Sequence, residues 1–227
     1  MKRFNLSTVV SILLAVAFTA CVSQKSSVPG VSSIRAMPGN DIFQADMDIP
    51  EFEGEEELNT LISDKINSWY NDFITEAEIN RSIAEDFGQP FTFENQWRVT
   101  MNTSDCASIL LTAYQFTGGA NGVDSMASFT WNKLTNKAMS ITDFLYLVLP
   151  EPSLESLAQV CRQELSASLG ADNDPSILDM IDSGTEPVAK NYDIFTISDK
   201  GLTVYFEKYQ VAPGSAGSQA VLIPYLK

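Results

Sequence analysis

The chain has 227 residues, 44% of them apolar, which is enough to build the core of one domain or of two small ones. It carries 29 acidic and 14 basic side chains, for a net charge of −15, and it has no histidine. The charge disfavours nucleic acid and anionic lipid as partners, and it is compatible with basic partners or simply with solubility. The lack of histidine removes the usual Ser-His-Asp and Cys-His catalytic groups and histidine metal sites.

The N-terminus is typical of a secreted protein. Lys2 and Arg3 precede an apolar run over residues 9–20, which is shorter than the roughly 20 apolar residues of a membrane-spanning helix. Small residues stand directly before Cys21, and this arrangement is similar to the lipobox of bacterial lipoproteins, in which the cysteine is lipidated and becomes the mature N-terminus. Phe18 departs from that pattern, since leucine is usual three residues before the cysteine.

We therefore predict a signal peptide over residues 1–20 and a lipid anchor at Cys21, with an ordinary secretory signal as the alternative. Residues 21–40 are rich in Ser, Gly and Pro and have no apolar period, so we expect a flexible tether there. The protein would then be anchored by lipid in the cell envelope, on its extracytoplasmic side, either periplasmic or surface-exposed.

The first half of the folded part predicts a long helix and several strands. Residues 41–49 alternate and predict a strand that stops at Pro50. Residues 55–79 carry an apolar stripe at helical spacing behind an acidic first turn, which predicts a helix packed across a sheet. The later links are too short for parallel crossovers and favour an antiparallel meander, whose central strand we expect to be covered on both faces; its segments are residues 93–103, 106–116, 126–134 and 138–149.

The second half predicts helices followed by strands. Helical patterns lie over residues 153–168 and from Asp174 onward. Strand patterns then cover residues 192–197, 202–206 and 219–225. Together, these helices and strands predict an α+β fold, in which a long N-terminal helix and a C-terminal helical segment pack on an antiparallel sheet. We expect its two parts, residues 41–140 and 141–227, to form one compact unit.

A glycine-rich loop follows the most apolar strand. Paired glycines allow the backbone to take positive φ, and a loop that interrupts a core strand this sharply is a natural binding surface. The candidate binding residues are Thr117, Gly118, Gly119, Ala120 and Asn121.

Side chains capable of chemistry are few. Cys106 and Cys161 would form a disulfide in an oxidising compartment or remain two separate buried thiols, and the sequence leaves both alternatives open. The acidic residues Asp143 and Glu151 have the type needed for acid–base catalysis, but 29 acidic residues make chance proximity the better explanation. Asp172 and Asp174 lack the glycine and glutamate of a calcium loop. We therefore predict no catalytic group, no metal site and no cofactor.

Two blocks of sequence resemble a known family. Residues 114–121, Tyr-Gln-Phe-Thr-Gly-Gly-Ala-Asn, are similar to its signature Tyr-x-Tyr-Thr-Gly-Gly-Ala-His. Residues 201–206, 209–213 and 221–225 are similar to its C-terminal pattern, Gly-Leu-x-Ile-x-Phe, then Tyr-x-Ile-Ala-Pro, then Val-x-Ile-Pro-Tyr. Together they resemble domain-of-unknown-function family 3298, with family 4163 on its N-terminal side.

Members of that family form the extracellular lysozyme-sensing part of RsiV-type anti-sigma factors and a non-catalytic part of some peptidoglycan deacetylases. The resemblance implies a non-catalytic binding module for a protein, such as a basic lysozyme, or for a cell-wall partner. The alternatives are an enzyme that acts on the cell wall through carboxylates alone, and a purely structural envelope lipoprotein. Asn121 stands where the family has histidine and Phe116 where it has tyrosine, so any use of a titrating side chain there is lost.

Overall fold

The computed structural model describes residues 28–171 and 174–227. The predicted signal peptide, Cys21 and the first residues of the predicted tether lie outside the described residues. Six strands form the larger sheet: β1 Val31–Ala36, β2 Phe43–Phe52, β3 Phe91–Asn102, β4 Cys106–Phe116, β5 Val123–Asn132 and β6 Lys137–Ala138. Three strands form the smaller sheet: β7 Phe195–Ser198, β8 Gly201–Phe206 and β9 Gln219–Pro224. The helices are α1 Glu56–Ile79, α2 Arg81–Phe87, α3 Leu145–Val148, α4 Leu154–Leu169 and α5 Pro175–Gly184.

The larger sheet follows chain order from β1 to β6. Its pairs are antiparallel except β2–β3, which is parallel because α1 and α2 carry the chain back between these strands. The long helix α1 buries one stripe against one face of the sheet, and the fully buried members of the stripe are Leu58, Ile62, Ile66, Phe73 and Ala77. The predicted α+β class and the long N-terminal helix are confirmed.

The predicted tether is wrong over part of its length. Residues 31–36 form β1, which pairs with β2 from Val31 opposite Phe52 to Ala36 opposite Met47. Its side chains are largely exposed, so an edge strand of this kind has no apolar alternation to reveal it. The strand β2 also continues through Pro50 to Phe52. Its ladder with β3 ends at Asp46, and proline is tolerated where a strand has a partner on one side only.

The predicted last strand of the meander is also wrong. β6 is only two residues long, and the chain then forms a 3-10 helix over Ile141–Asp143 and the short helix α3. The cause is a local capping box, in which the backbone N–H of Ser140 donates to Asp143 Oδ2 at 2.8 Å. These bonds satisfy the backbone locally and take it out of the sheet.

The smaller sheet is antiparallel in the order β7-β8-β9 and has its own apolar core with α4 and α5. Ser153 and Asp174 cap these helices by accepting hydrogen bonds from the N–H groups of Ser156 and Ser176. The predicted C-terminal helical segment and strands are therefore present, but they build a second sheet rather than extend the first.

Hydroxyl groups join the two sheets. The backbone N–H groups of Phe195 and Ile197 on β7 donate to Ser128 Oγ at 2.8 Å and to Ser108 Oγ at 3.1 Å. Ser108 and Ser128 alternate with the residues that face α1, so β7 lies on the opposite face of the larger sheet. It covers one end of that face, where Ser108 is fully buried, and leaves the other end open.

Candidate functional site

The open end of the β3–β5 face carries mostly polar side chains in two cross-strand rows. The strand register aligns Glu94 with Tyr114 and Asp124, and the next row aligns Gln96 with Thr112 and Met126. These six residues, together with Ser218 from the chain before β9, line a groove of about 390 Å³ that we call the sheet-face groove. The expectation that β4 is covered on both faces therefore holds only for the half of the strand that lies under β7.

Tyr114 is the largest side chain of the groove and is 43% exposed. Its ring lies against Gly122, where a Cβ atom would fall 2.4 Å from two ring carbons. Glycine at this position therefore leaves room for the ring and fixes where it lies. The far end of a tyrosine can swing away, so a methyl group at Gly122 would displace the ring rather than break the fold.

The predicted binding loop lies directly beyond this row, since the β4–β5 ladder ends with Gln115 opposite Val123. Thr117 and Gly118 are half-buried, whereas Gly119, Ala120 and Asn121 are exposed. All five residues thus sit together at the open end of the sheet face. The structure places residues 119–121 on an accessible surface, whereas Gly118 lies against Ile83 and Phe91, and the role of the loop in binding stays a prediction.

Substituting the paired glycines is expected to strain this loop. Gly118 has φ +99° and Gly119 has φ +91°, which side chains rarely adopt. We expect Gly118→Val and Gly119→Val each to lower the free energy of unfolding by about 1–3 kcal/mol. The effect should be larger at Gly118, where a Cβ atom would also lie 3.2 Å from Ile83 Cγ2, while Gly119 has open space around it. Urea unfolding of both variants measures this, and two unchanged midpoints would show that the loop needs no special backbone.

The two cysteines in the described part of the chain are free thiols, so the disulfide alternative does not describe this structure. Cys161 is buried on the apolar face of α4, where burial above all, and then Glu164, raises the pKa of its thiol to about 12. Burial also raises the pKa of the Cys106 thiol. Both thiols are therefore protonated near neutral pH and are poor nucleophiles.

Two of the acidic residues singled out in the sequence, Asp143 and Asp174, have structural roles. Asp143 belongs to the capping box with Ser140. Asp174 caps α5, and its hydrogen bonds from the hydroxyl and backbone N–H of Ser176 lower the pKa of its carboxyl group. Asp172 lies outside the described residues. Within residues 28–171 and 174–227, no group of three or more Cys, Asp and Glu side chains is placed to hold a metal ion.

Two further carboxylates border the open face. Glu207 Oε1 accepts a hydrogen bond from the Met126 N–H at 3.3 Å, which places the chain after β8 at the outer edge of β5. Asp46 extends the first row beyond Glu94 and is held by Arg35 on β1, whose Nε lies 2.7 Å from Asp46 Oδ1.

In the part of the chain that the structure describes, no helix is long and apolar enough to cross a membrane.

Comparison with family models divides the chain into two matched segments. Residues 147–226 match the model for a protein of unknown function, DUF3298, and residues 38–124 match the model described as deacetylase PdaC. The PdaC-like segment, residues 38–124, supplies most of the sheet-face groove and the glycine loop. The DUF3298 segment, residues 147–226, contributes Ser218 and Glu207 at the border of the groove.

Comparison with individual proteins agrees with the two family models. The chain is 26% identical over 129 residues to the peptidoglycan-N-acetylmuramic acid deacetylase PdaC of Bacillus subtilis, a match that covers 56% of this chain and 26% of that protein. The chain thus spans about a quarter of the length of that relative. Its fold matches solved DUF3298-family proteins from Bacteroides fragilis and Pseudomonas aeruginosa, with TM-scores of 0.57 and 0.56 and identities of 13% and 17%. Each of these matches covers 86% of this chain and 89% of the solved one.

The groove was missed in the sequence because its rows depend on strand register. The available signal was the alternation itself, since Glu94, Gln96, Tyr114 and Asp124 occupy positions opposite in phase to the buried apolar ones. Family matches and fold together lead to one conclusion: the chain contains a DUF3298 domain at residues 147–226, preceded at residues 38–124 by a PdaC-like segment.

Proposed function

We propose that this protein is a non-catalytic binding module of the bacterial cell envelope, anchored by lipid at Cys21, for a basic protein or a cell-wall partner. The observation that carries the proposal is the open end of the β3–β5 face, where an exposed glycine loop stands beside a groove with acidic side chains. A loop held at the end of a packed sheet offers a binding surface at little ordering cost.

The proposed location rests on the sequence and on the relative. The pattern before Cys21 resembles a lipoprotein signal, and the name of the Bacillus relative places that protein's activity on peptidoglycan. Since this chain spans only a quarter of that protein, we propose that the shared region serves recognition and that the deacetylation belongs to the remainder.

The proposed basic partner rests on charge. A net charge of −15 attracts cationic proteins and accelerates their association at low salt. A basic lysozyme fits this description. Attraction by charge alone disappears with salt, whereas a specific interface also has contacts that salt does not screen.

Titration of the purified protein with a panel of basic lysozymes, at low salt and at about 0.5 M, tests the proposal. We expect saturable binding that survives salt and that weakens about threefold to tenfold in Asn121→Ala, because that side chain lies exposed at the loop tip. The matched control is Gln163→Ala, an exposed amide on α4, which should leave affinity unchanged. Weak attraction that vanishes at high salt for every lysozyme would overturn the basic-protein proposal.

The second candidate is an enzyme that acts on the cell wall. Glu94 and Asp124 line one groove two strands apart, so their Cα atoms are about 10 Å from each other. Glycosidases use two carboxylates that flank the bond they cleave, so this acidic pair is the feature that favours an enzyme. Release of acetate or of new reducing ends from peptidoglycan by the wild type, lost in Glu94→Gln, would favour the enzyme over the binding module.

The third alternative is a structural lipoprotein whose loops only close the fold. It would require the loop residues to be buried and satisfied within the protein. Of the three residues that would have to be buried, Thr117 is half-buried and Gly119 and Asn121 are exposed, which favours the binding module.

A further inference from the structure

We propose that the sheet-face groove is the site that receives a lysine or arginine side chain, carried by an extended segment of the basic partner. The cationic group would lie over Tyr114, between the carboxylates of Glu94 and Asp124. This inference rests on the proposed function and deepens it, since it names the site and the chemistry that the site recognises.

The position of the groove fits an extended segment. It runs across three strands of an open sheet face, Ser218 lines it, and Glu207 lies at the edge of β5 beside it; β7 covers the same face further along the strands, over Ser128 and Ser108. Neighbouring strands lie about 4.8 Å apart, so the row from Glu94 to Asp124 spans about 10 Å. This is the length of about three residues of extended chain.

The charges of the groove are complementary to a cation. Glu94 and Asp124 are exposed, and among the described residues neither forms a salt bridge. Glu94 Oε1 accepts only a neutral donor, Gln96 Nε2, at 2.9 Å. The groove-lining residues include no lysine or arginine. Arg35, which lies opposite Asp48 in the β1–β2 register, is engaged by Asp46, and the charge of Glu94 also acts on its guanidinium group.

Tyr114 adds a partly exposed aromatic ring to the negative charge of the groove. Its ring is seated against Gly122 and remains 43% exposed, so part of it is free for a ligand. An ammonium or guanidinium group over such a ring gains a cation–π contact. The two flanking carboxylates add charge-assisted hydrogen bonds. A metal ion fits less well, because only two carboxylates line the groove, whereas Ca²⁺ takes about six to eight oxygen ligands.

The test uses octalysine as the probe, with the purified protein at about 0.15 M salt, the physiological ionic strength. We expect the double variant Glu94→Gln, Asp124→Asn to weaken binding about tenfold or more, and Tyr114→Leu to weaken it about threefold or more. The matched control is Glu164→Gln, Asp179→Asn, which removes the same charge from exposed positions on α4 and α5. The control should change affinity by less than about twofold.

Gly122→Ala is an independent variant that keeps every charge. It should displace the Tyr114 ring and weaken octalysine binding about as much as Tyr114→Leu, with a small change in unfolding midpoint. Circular dichroism melts of all variants separate loss of the site from loss of the fold.

The possible failures are distinguishable. If the groove double variant and the control double variant weaken octalysine binding equally, or if neither weakens it, the groove is not the site. The proposed binding module would then still stand. Binding of a neutral N-acetylglucosamine oligomer in place of octalysine, abolished by Tyr114→Leu, would overturn the cationic side chain as the occupant. Failure of the wild type to bind any basic lysozyme or octalysine would overturn the proposed basic partner itself.

Discussion

Gly201→Ala is expected to lower the free energy of unfolding by about 3–5 kcal/mol, from backbone strain and overpacking together. Gly201 begins β8 with φ +143°, a conformation that L side chains rarely adopt. A Cβ atom there would fall 2.2 Å from the Ile223 carbonyl oxygen and 2.8 Å from Pro224 Cα. Both are backbone atoms of the paired strand β9, so no side chain can swing aside to relieve the clash.

Urea unfolding measures this cost, with Gly217→Ala as the matched control. Gly217 also has positive φ, +70°, but a Cβ atom would meet nothing within 4 Å. The control should therefore cost about 1–3 kcal/mol, the strain of the backbone alone, since its φ of 70° and ψ of −166° lie in a region that is essentially restricted to glycine. Equal losses in the two variants would show that β8 and β9 do not approach as closely as described.

Ser108→Ala is expected to cost about 2–4 kcal/mol, because it leaves two buried groups without partners. Ser108 is fully buried between the sheets, and its Oγ lies 2.9 Å from Thr130 Oγ1. The same oxygen accepts the Ile197 N–H of β7 at 3.1 Å. Removing the hydroxyl therefore leaves the Thr130 hydroxyl in the larger sheet and the Ile197 N–H in the smaller sheet without this partner, and we expect β7 to be bound less tightly to the larger sheet.

The measurement is again the unfolding free energy, compared with Ser82→Ala, an exposed serine on α2. The control should stay within about 0.5 kcal/mol of the wild type. Hydrogen exchange of the β7 amides should also accelerate in Ser108→Ala, because Ile197 loses its acceptor. Wild-type stability in this variant would mean that the hydroxyl bonds contribute nothing to the joining of the sheets.

Strong local periodicity made some elements predictable. The predicted strand over residues 106–116 coincides with β4, and the predicted helix over residues 55–79 starts one residue before α1. In both, burial follows the apolar pattern that the sequence displays. The glycine loop was found for a similarly local reason, since two adjacent glycines after a strand are a turn signal by themselves.

The features that were missed depend on partners far away in the sequence. The strand β1 exists because β2 offers it an edge, and its own residues carry no apolar alternation. The short turns between the strands do not indicate which sheet a strand joins, so the sequence did not predict that β7, β8 and β9 form a second sheet. The sheet-face groove requires the register of β3, β4 and β5 together with the place where β7 stops covering them. No single stretch of sequence contains that information.

Hydrogen–deuterium exchange, alone and with a saturating basic lysozyme, tests most directly whether the loop and the sheet-face groove form one binding surface. Residues 118–121 lie beyond the β4–β5 ladder, so their amides should exchange quickly in the free protein. We expect lysozyme to slow them, together with the amides of residues 122–126 beside the groove. Exchange unchanged by lysozyme, or slowed only over α4 and α5, would contradict a binding surface at this end of the sheet.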